Sequence, residues 1–312
     1  MPDERLPSGL SSLALPRPPP RMPSFRYLQL DVFPATPGGG NPLGVVFGTS
    51  NMDSAHMQRL ARWLNLVETT FVLPAEDAAA SYRLRIFMPH TEIPFAGHPT
   101  IGSAHSVLDS GFAVARDGQL IQQCGAGLLP IRIDGEGAAR ELFVRAPGAR
   151  IVREGSDDAS LRAALGFQAL GRRVPALVDG GRRWWIAEFA NEAAVRLWQP
   201  NHAAIKALAR ADACMGLCVF ARCTNAGHDL VVRAFPAAAG IVEDPASGAA
   251  NGLIAAYIAE REPDGKLARG YRVSQGREMG HDAALAVRID VDGSVWVGGR
   301  TRTVIEGTIA WP

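Results

Sequence analysis

Pro94-Phe95-Ala96-Gly97-His98-Pro99-Thr100 runs straight into Ile101-Gly102-Ser103-Ala104-His105-Ser106, and the chain repeats this arrangement further on. There, Glu243-Asp244-Pro245-Ala246-Ser247-Gly248 runs into Ala249-Ala250-Asn251-Gly252. Each time a tight Gly/Pro loop opens a helix made of small residues, expected over about 99–109 and 249–260. Pro99 suits a first helical turn, where its missing N–H is not needed. A helix of Gly, Ser and Ala admits strands close to its axis, so each is expected inside a shell of strands.

The flanking segments supply those strands. Residues 27–33, 43–47, 69–73 and 82–88 are β-branched, aromatic or alternating, and read as extended. Between them, Met57, Leu60, Ala61 and Leu64 recur at helical spacing behind a cap at Asp53 or Ser54. The second half has the same grammar, with strands near 128–134, 141–146, 184–189, 216–221 and 230–235 and a helix over 202–211. The pattern predicts an α+β protein of two similar domains with related loops facing one another. The boundaries expected are a disordered Pro-rich tail over 1–24, an N-terminal domain over 25–135 and a C-terminal domain over 136–300. The final strand, about 301–312, is expected to return to the first domain.

Length and composition agree with two cores: 312 residues, of which 47% are hydrophobic. With Lys+Arg 32 against Asp+Glu 31, no basic block interleaves with aromatics, so nothing points to nucleic acid. No apolar run is long enough to span a membrane, and the tail lacks the apolar core of a signal peptide. Four cysteines are too few for a disulfide scaffold, and a reducing cytoplasm is expected. Cys214, Cys218 and Cys223 lack zinc-knuckle spacing and read as buried strand residues. Removing residues 1–22 is expected to leave the melting temperature almost unchanged, because a Pro-rich segment without apolar periodicity builds no core element. A large drop in a differential scanning calorimetry trace would show that the tail packs on the protein.

The candidate chemistry gathers at the two loops. Helix N-termini offer free N–H groups and a favourable dipole to a carboxylate, and glycine permits close approach. Glu68, between a helix and a strand, is by itself an ordinary surface acid; buried in a cleft, its pKa would rise until it could take and return a proton near neutral pH. His98 could donate a hydrogen bond or be purely structural, and Asp244 could be a second acid/base or only a cap. Gly38-Gly39-Gly40-Asn41 has neither the P-loop Lys nor the GxGxxG pattern, His90, His98 and His105 lack metal spacing, and no GxSxG elbow is present.

Taken together, four segments are specific. Gly40-Asn41-Pro42-Leu43, Asn65-Leu66-Val67-Glu68-Thr69-Thr70-Phe71, the 94–100 loop, and the 243–248 loop with Asn251 occur in this order and spacing, followed by Gln275-Gly276 and Met279-Gly280. The set resembles the PhzF (phenazine-biosynthesis-like) family from about Phe25 to the C-terminus. The resemblance implies the diaminopimelate-epimerase-like fold: two domains, each a β-barrel-like sheet around a central helix, with the active site in the interdomain cleft. It implies Glu68 as the proton-transferring acid/base, with Asp244 and His98 beside it. It implies a substrate pocket drawing on Asn41, Gly97, Pro99, Thr100, Ser247, Gly248, Ala249 and Gln275. It further implies a homodimer without metal or organic cofactor, acting on a small carboxylate.

Related racemases place one cysteine in each loop; here Ala96 and Pro245 stand about where those thiols would fall. A single carboxylate acting on one face of its substrate therefore fits better than a thiol pair. The other readings are an epimerase with Glu68 and Asp244 on opposite faces, and a non-catalytic carboxylate-binding protein. Many relatives carry Ser at the place of Ala249 and Arg at the place of His281, so the phenazine substrate itself does not follow from the resemblance.

Overall fold

Gly102 explains why the first central helix is built from small residues: a Cβ there would lie 2.5 Å from Leu43 Cδ2 and 2.9 Å from Val32 Cγ2. Gly252 has the same role in the second, with Ala146 Cβ 2.9 Å away. A larger side chain at either position would push strands off the helix.

The computed structural model describes residues 22–224 and 227–312. Its first half runs β1 (Ser24–Val32), β2 (Asn41–Phe47), α1 (Ser54–Leu64), β3 (Glu68–Leu73), β4 (Tyr82–Phe87), β5 (Glu92–Ile93), α2 (Gly97–Asp109), β6 (Gln119–Cys124) and β7 (Gly127–Asp134). There follow β8 (Glu141–Arg145), β9 (Arg150–Glu154), α3 (Ala159–Leu165), β10 (Ala176–Asp179), β11 (Arg183–Glu188), α4 (Glu192–Arg196), α5 (His202–Ala211), β12 (Leu217–Arg222) and β13 (Leu230–Phe235). The chain ends with α6 (Gly248–Arg261), β14 (Gly270–Gln275), β15 (Ala283–Ile289), β16 (Val295–Gly299) and β17 (Thr301–Ala310).

Hydrogen-bonded pairing links these strands into one ribbon. It passes from β17 through β1, β2, β3, β4, β6, β7 and β8. From β8 it crosses to β16 and continues through β15, β14, β13, β12, β11 and β10 to β9. The first part wraps α2 and the second wraps α6. Both helices are buried nearly all round, from His98 to Val107 and from Ala250 to Ile258 except Ala256, as helices without a polar face must be. The ribbon does not break at residue 135: β8 pairs with β7 on one edge and β16 on the other, and the largest apolar cluster draws on both halves. Among the smaller clusters, one lies under α1 and one under α3 and α5.

The element ends differ from the expectations in physically simple ways. Both central helices begin earlier, at Gly97 and Gly248, because Ala96 and Ser247 are the extended residues before the first turn. The first strand stops at Val32, since Phe33 adopts the left-handed conformation, φ 65°. It already starts at Ser24, within the range expected to be a tail, because Ser24 pairs with Ala310. The remainder of that tail, 1–21, lies outside the described residues. The strands β6, β9, β10 and β14–β17 were not expected from local pattern, β17 apart, and are held by their partners. Among the described residues no helix is long and apolar enough to cross a membrane.

Candidate active site

Glu68 owes its position to the end of α1. Asn65 closes that helix in the left-handed conformation, φ 52°, with its N–H on Ala61 C=O at 3.1 Å. The chain reverses there and enters β3 at Glu68, opposite Leu43 of the parallel strand β2. The carboxyl ends up inside the protein, 7% exposed.

His98 is the second residue of α2, and its Nε2 lies 3.3 Å from Glu68 Oε2. The two atoms are close but not aligned for a hydrogen bond, and neither has another partner within the described residues. The other ring nitrogen, Nδ1, is 3.3 Å from Asn41 Nδ2. An amide NH₂ donates, so Nδ1 accepts and the ring proton sits on Nε2, on the Glu68 side. Asn41 itself is fixed from behind: Asp31 carboxylate oxygens accept from Gly38 and Gly40 N–H at 2.7 Å, and His281 Nδ1 bonds Gly40 C=O at 2.7 Å. Gly40 is required at that point, because a Cβ would lie 2.3 Å from Val32 O.

The Asp244 side chain comes in from the other half. Its Oδ1 accepts from Asn41 Nδ2 and from Ala246 N–H, both at 3.1 Å. Gln275 donates from Nε2 to Asp244 C=O at 2.8 Å and accepts from Asn251 Nδ2 at 3.0 Å and from Ser247 N–H at 3.4 Å. Ser247 caps α6 through Ala250 N–H. The two central helices meet end to end here: a Cβ on Gly97 would stand 3.3 Å from Gly248 Cα, and one on Gly248 3.4 Å from Gly97 Cα. The backbone N–H groups of Gly97, His98, Gly248 and Ala249 make no hydrogen bond within the described residues. Two helix starts with free N–H groups thus face one space, as an anion seat requires.

That space is a cavity of about 320 Å³. Glu68, His98, Asp244, Gly97, Ser247, Gly248 and Ala249 line it, with an apolar wall that includes Phe33, Met88, Phe95, Trp184, Met215, Ile241 and Leu253. Arg182 is its one basic lining residue among those described. Asn41, Pro99, Thr100 and Gln275, expected to touch substrate, do not line it. Asn41 and Gln275 are fully buried behind it and hold His98 and the Asp244 loop. Pro99 is packed inside α2, and Thr100 Oγ1 accepts from Gln122 Nε2 at 3.1 Å. A residue just past a helix start turns its side chain into the strand shell, which here carries both away from the opening. Arg182 and the aromatic wall were missed, because single residues at the edges of β11 and β5 carry no local signal.

Burial governs the electrostatics. Desolvation, then the nearby Asp244 carboxylate, pushes Glu68 up to about 8. Desolvation pulls His98 down to about 3, so the imidazole is neutral at physiological pH. The Glu68–His98 contact is therefore a meeting of two weakly charged groups rather than an ion pair. Asp244 is also raised, chiefly by burial, against the lowering effect of its bonds from Ala246 and Ser247. A carboxyl that titrates near neutrality beside a fixed N–H donor is equipped to remove and return a proton.

Relatives that match the chain over nearly its whole length are isomerases and epimerase-like proteins, and the chain is an isomerase of that fold class. The model for phenazine biosynthesis-like proteins (PhzC-PhzF) matches residues 30–307, and the chain belongs to the PhzF family. It is 32% identical over 295 residues to antisense-enhancing sequence 1 of Schizosaccharomyces pombe, covering 92% of this chain and 99% of that one. It is likewise 32% identical to trans-2,3-dihydro-3-hydroxyanthranilate isomerase of Pseudomonas aeruginosa, covering 90% of this chain and 98% of the relative. Among solved structures, a PhzF-family protein of Bacillus anthracis superposes with a TM-score of 0.80 at 24% identity, covering 92% and 99% of the two chains.

Proposed function

We propose that this isomerase shifts a proton on a small carboxylate substrate without a cofactor, using Glu68 as its single acid/base. The observation that carries this reading is the buried Glu68 carboxyl 3.3 Å from a neutral His98, both facing a largely apolar cavity. The substrate carboxylate lies against the N–H groups of Gly97, His98, Gly248 and Ala249, which hold it without a full positive charge beside Glu68. An adjacent Lys or Arg would lower the Glu68 pKa and weaken its power to return the proton. His98 orients the substrate from Nε2–H and does not itself titrate in the working range. Asn41 and Gln275 act as positioning residues, and Asp244 raises the basicity of Glu68. The two strand-and-helix halves, 25–135 with the final strand and 136–300, serve as the two walls of the site.

Trans-2,3-dihydro-3-hydroxyanthranilate, the molecule named for the Pseudomonas relative, is the first compound to assay. Turnover in D₂O should place one solvent deuterium in the product at a new carbon. Inversion at an unchanged carbon skeleton would favour instead an epimerase using Glu68 and Asp244 on opposite faces. That second reading has less support, because Asp244 Oδ1 is already engaged by Asn41 and Ala246.

The pH profile tests the role of Asp244. Proton removal needs ionised Glu68, so kcat/KM should rise with pH and level off above about 8. Asp244→Asn removes the second cause of that raised value, so the midpoint should move to lower pH. A midpoint unchanged in the variant would show that the two carboxyls do not communicate.

A further inference from the structure

Outside the catalytic cavity, and sharing Gly181, Arg182 and Met215 with it, lies an open trough of about 820 Å³. Its charge is one-sided. Arg182 and Arg183 at the start of β11 and Lys206 and Arg210 on α5 line it, against the single carboxylate of Asp179. The chain as a whole has a net charge of only +1, so this is a local concentration rather than a general excess. None of the four cations is ion-paired among the described residues. Some arginines elsewhere have carboxylate partners, as Arg153, Arg222 and Arg261 show, and others, such as Arg59, Arg116, Arg145 and Arg172, have none among the described residues; what sets the trough apart is that four unpaired cations line one space. Asp179 is turned back on its own hairpin, accepting from Gly181 N–H at 3.1 Å.

The lip between trough and cavity is well fixed. Met215 N–H donates to Arg183 C=O at 2.8 Å, and Arg182 Nη1 rests 3.8 Å from Met215 Sδ. Gly181, Arg182 and Met215 thus stand on the boundary of both spaces, so the trough adjoins the cavity that holds Glu68. The four cations repel one another, and an anion placed among them relieves that repulsion. Guanidinium groups suit both phosphate and carboxylate, through paired N–H donors.

We propose that the trough is a second anion subsite, and that the physiological substrate is an acid carrying a further phosphate or carboxylate away from its reacting carbon. The proposal rests on the assignment of the Glu68 cavity as the catalytic site. It explains why that cavity holds so few polar groups: orientation of the substrate comes partly from its distal charge. The trough also draws anionic substrate toward the cavity mouth, an effect that weakens as salt rises.

The test is calorimetric titration of the full chain with inorganic pyrophosphate and, separately, with succinate, at low salt. The comparison protein is the R183Q/K206Q/R210Q variant, which alters only exposed side chains. Saturable one-to-one binding of at least one probe is expected, weakened about tenfold or more in the variant, since each exposed ion pair contributes a factor of about two to five. Because succinate can also occupy the carboxylate seat in the cavity, only binding that the variant weakens counts: such binding of pyrophosphate alone would identify a phosphate-bearing substrate, and of succinate alone a second carboxylate. Glu68→Gln should bind the probes as wild type does, so loss of the catalytic reading would leave this measurement intact. Absence of saturable binding by both probes, or equal binding by the variant with an unchanged melting temperature, overturns the subsite.

Discussion

Glu68→Gln is expected to fold and bind substrate normally while kcat falls by about two to four orders of magnitude, the usual contribution of a general acid/base. The amide matches the carboxyl in shape, and the site around it is rigid. Glu68 stands at the first position of β3, clamped between β2 and β4, and is nearly enclosed. What the substitution removes is the ability to carry a proton. No neighbour supplies a replacement: His98 is held neutral and far from its ordinary range, and Asp244 has its Oδ1 occupied by two donors. KM should change little, because the proposed carboxylate seat is made of backbone N–H groups at the two helix starts. Activity within about threefold of wild type would remove Glu68 from the mechanism, and a large rise in KM with kcat retained would make it a binding group instead.

The same substitution should change stability in a pH-dependent way. The Glu68 pKa is about 8 in the folded protein and 4.5 for the unperturbed group. Between those values the folded chain holds a proton that the unfolded chain has released. Stability therefore falls as pH rises from about 4.5 through 8, and levels off beyond. The full effect is of order 5 kcal/mol, from about 1.4 kcal/mol for each pKa unit. Gln cannot ionise, so the variant escapes this loss. Glu68→Gln should thus be near wild type in stability at pH 5 and more stable at pH 9, by several degrees in Tm. His98, depressed to about 3, works the other way: its contribution is present above its ordinary value of 6.5 and lost as pH falls through 3. It is common to both proteins and cancels in the comparison. Parallel urea titrations at the two pH values measure the difference. Equal stabilities at pH 9 would mean that the carboxyl is solvated and carries no buried penalty, and a poised acid/base would go with it.

Activity and stability are exchanged at Glu68. A solvated Glu68 would cost the fold nothing but would titrate too low to return a proton near neutrality. Burial in an apolar wall raises its basicity, and the fold bears the cost whenever the carboxylate is charged.

The sequence by itself determined the local parts. The small-residue helices, the amphipathic α1 and α5, the alternating strand 82–87 and the loops that end at Gly97 and Gly248 follow from periodicity, capping and the size of side chains. These are interactions within a few residues, so their cause is visible in a short stretch. Glu68, His98 and Asp244 were also legible, though only as an ordered set, since each alone has an ordinary structural explanation. Tertiary structure decided the rest. β14 and β16 are tied into the ribbon by hydrogen bonds to the distant strands β13 and β8, which no local pattern encodes. Asn41, Pro99, Thr100 and Gln275 fall behind the cavity rather than on it, because the strand shell, and not the loop sequence, sets which way each side chain turns. The elevation of Glu68 is likewise a property of enclosure: the letter E at position 68 specifies a carboxyl, while the apolar wall assembled from both halves specifies where it titrates.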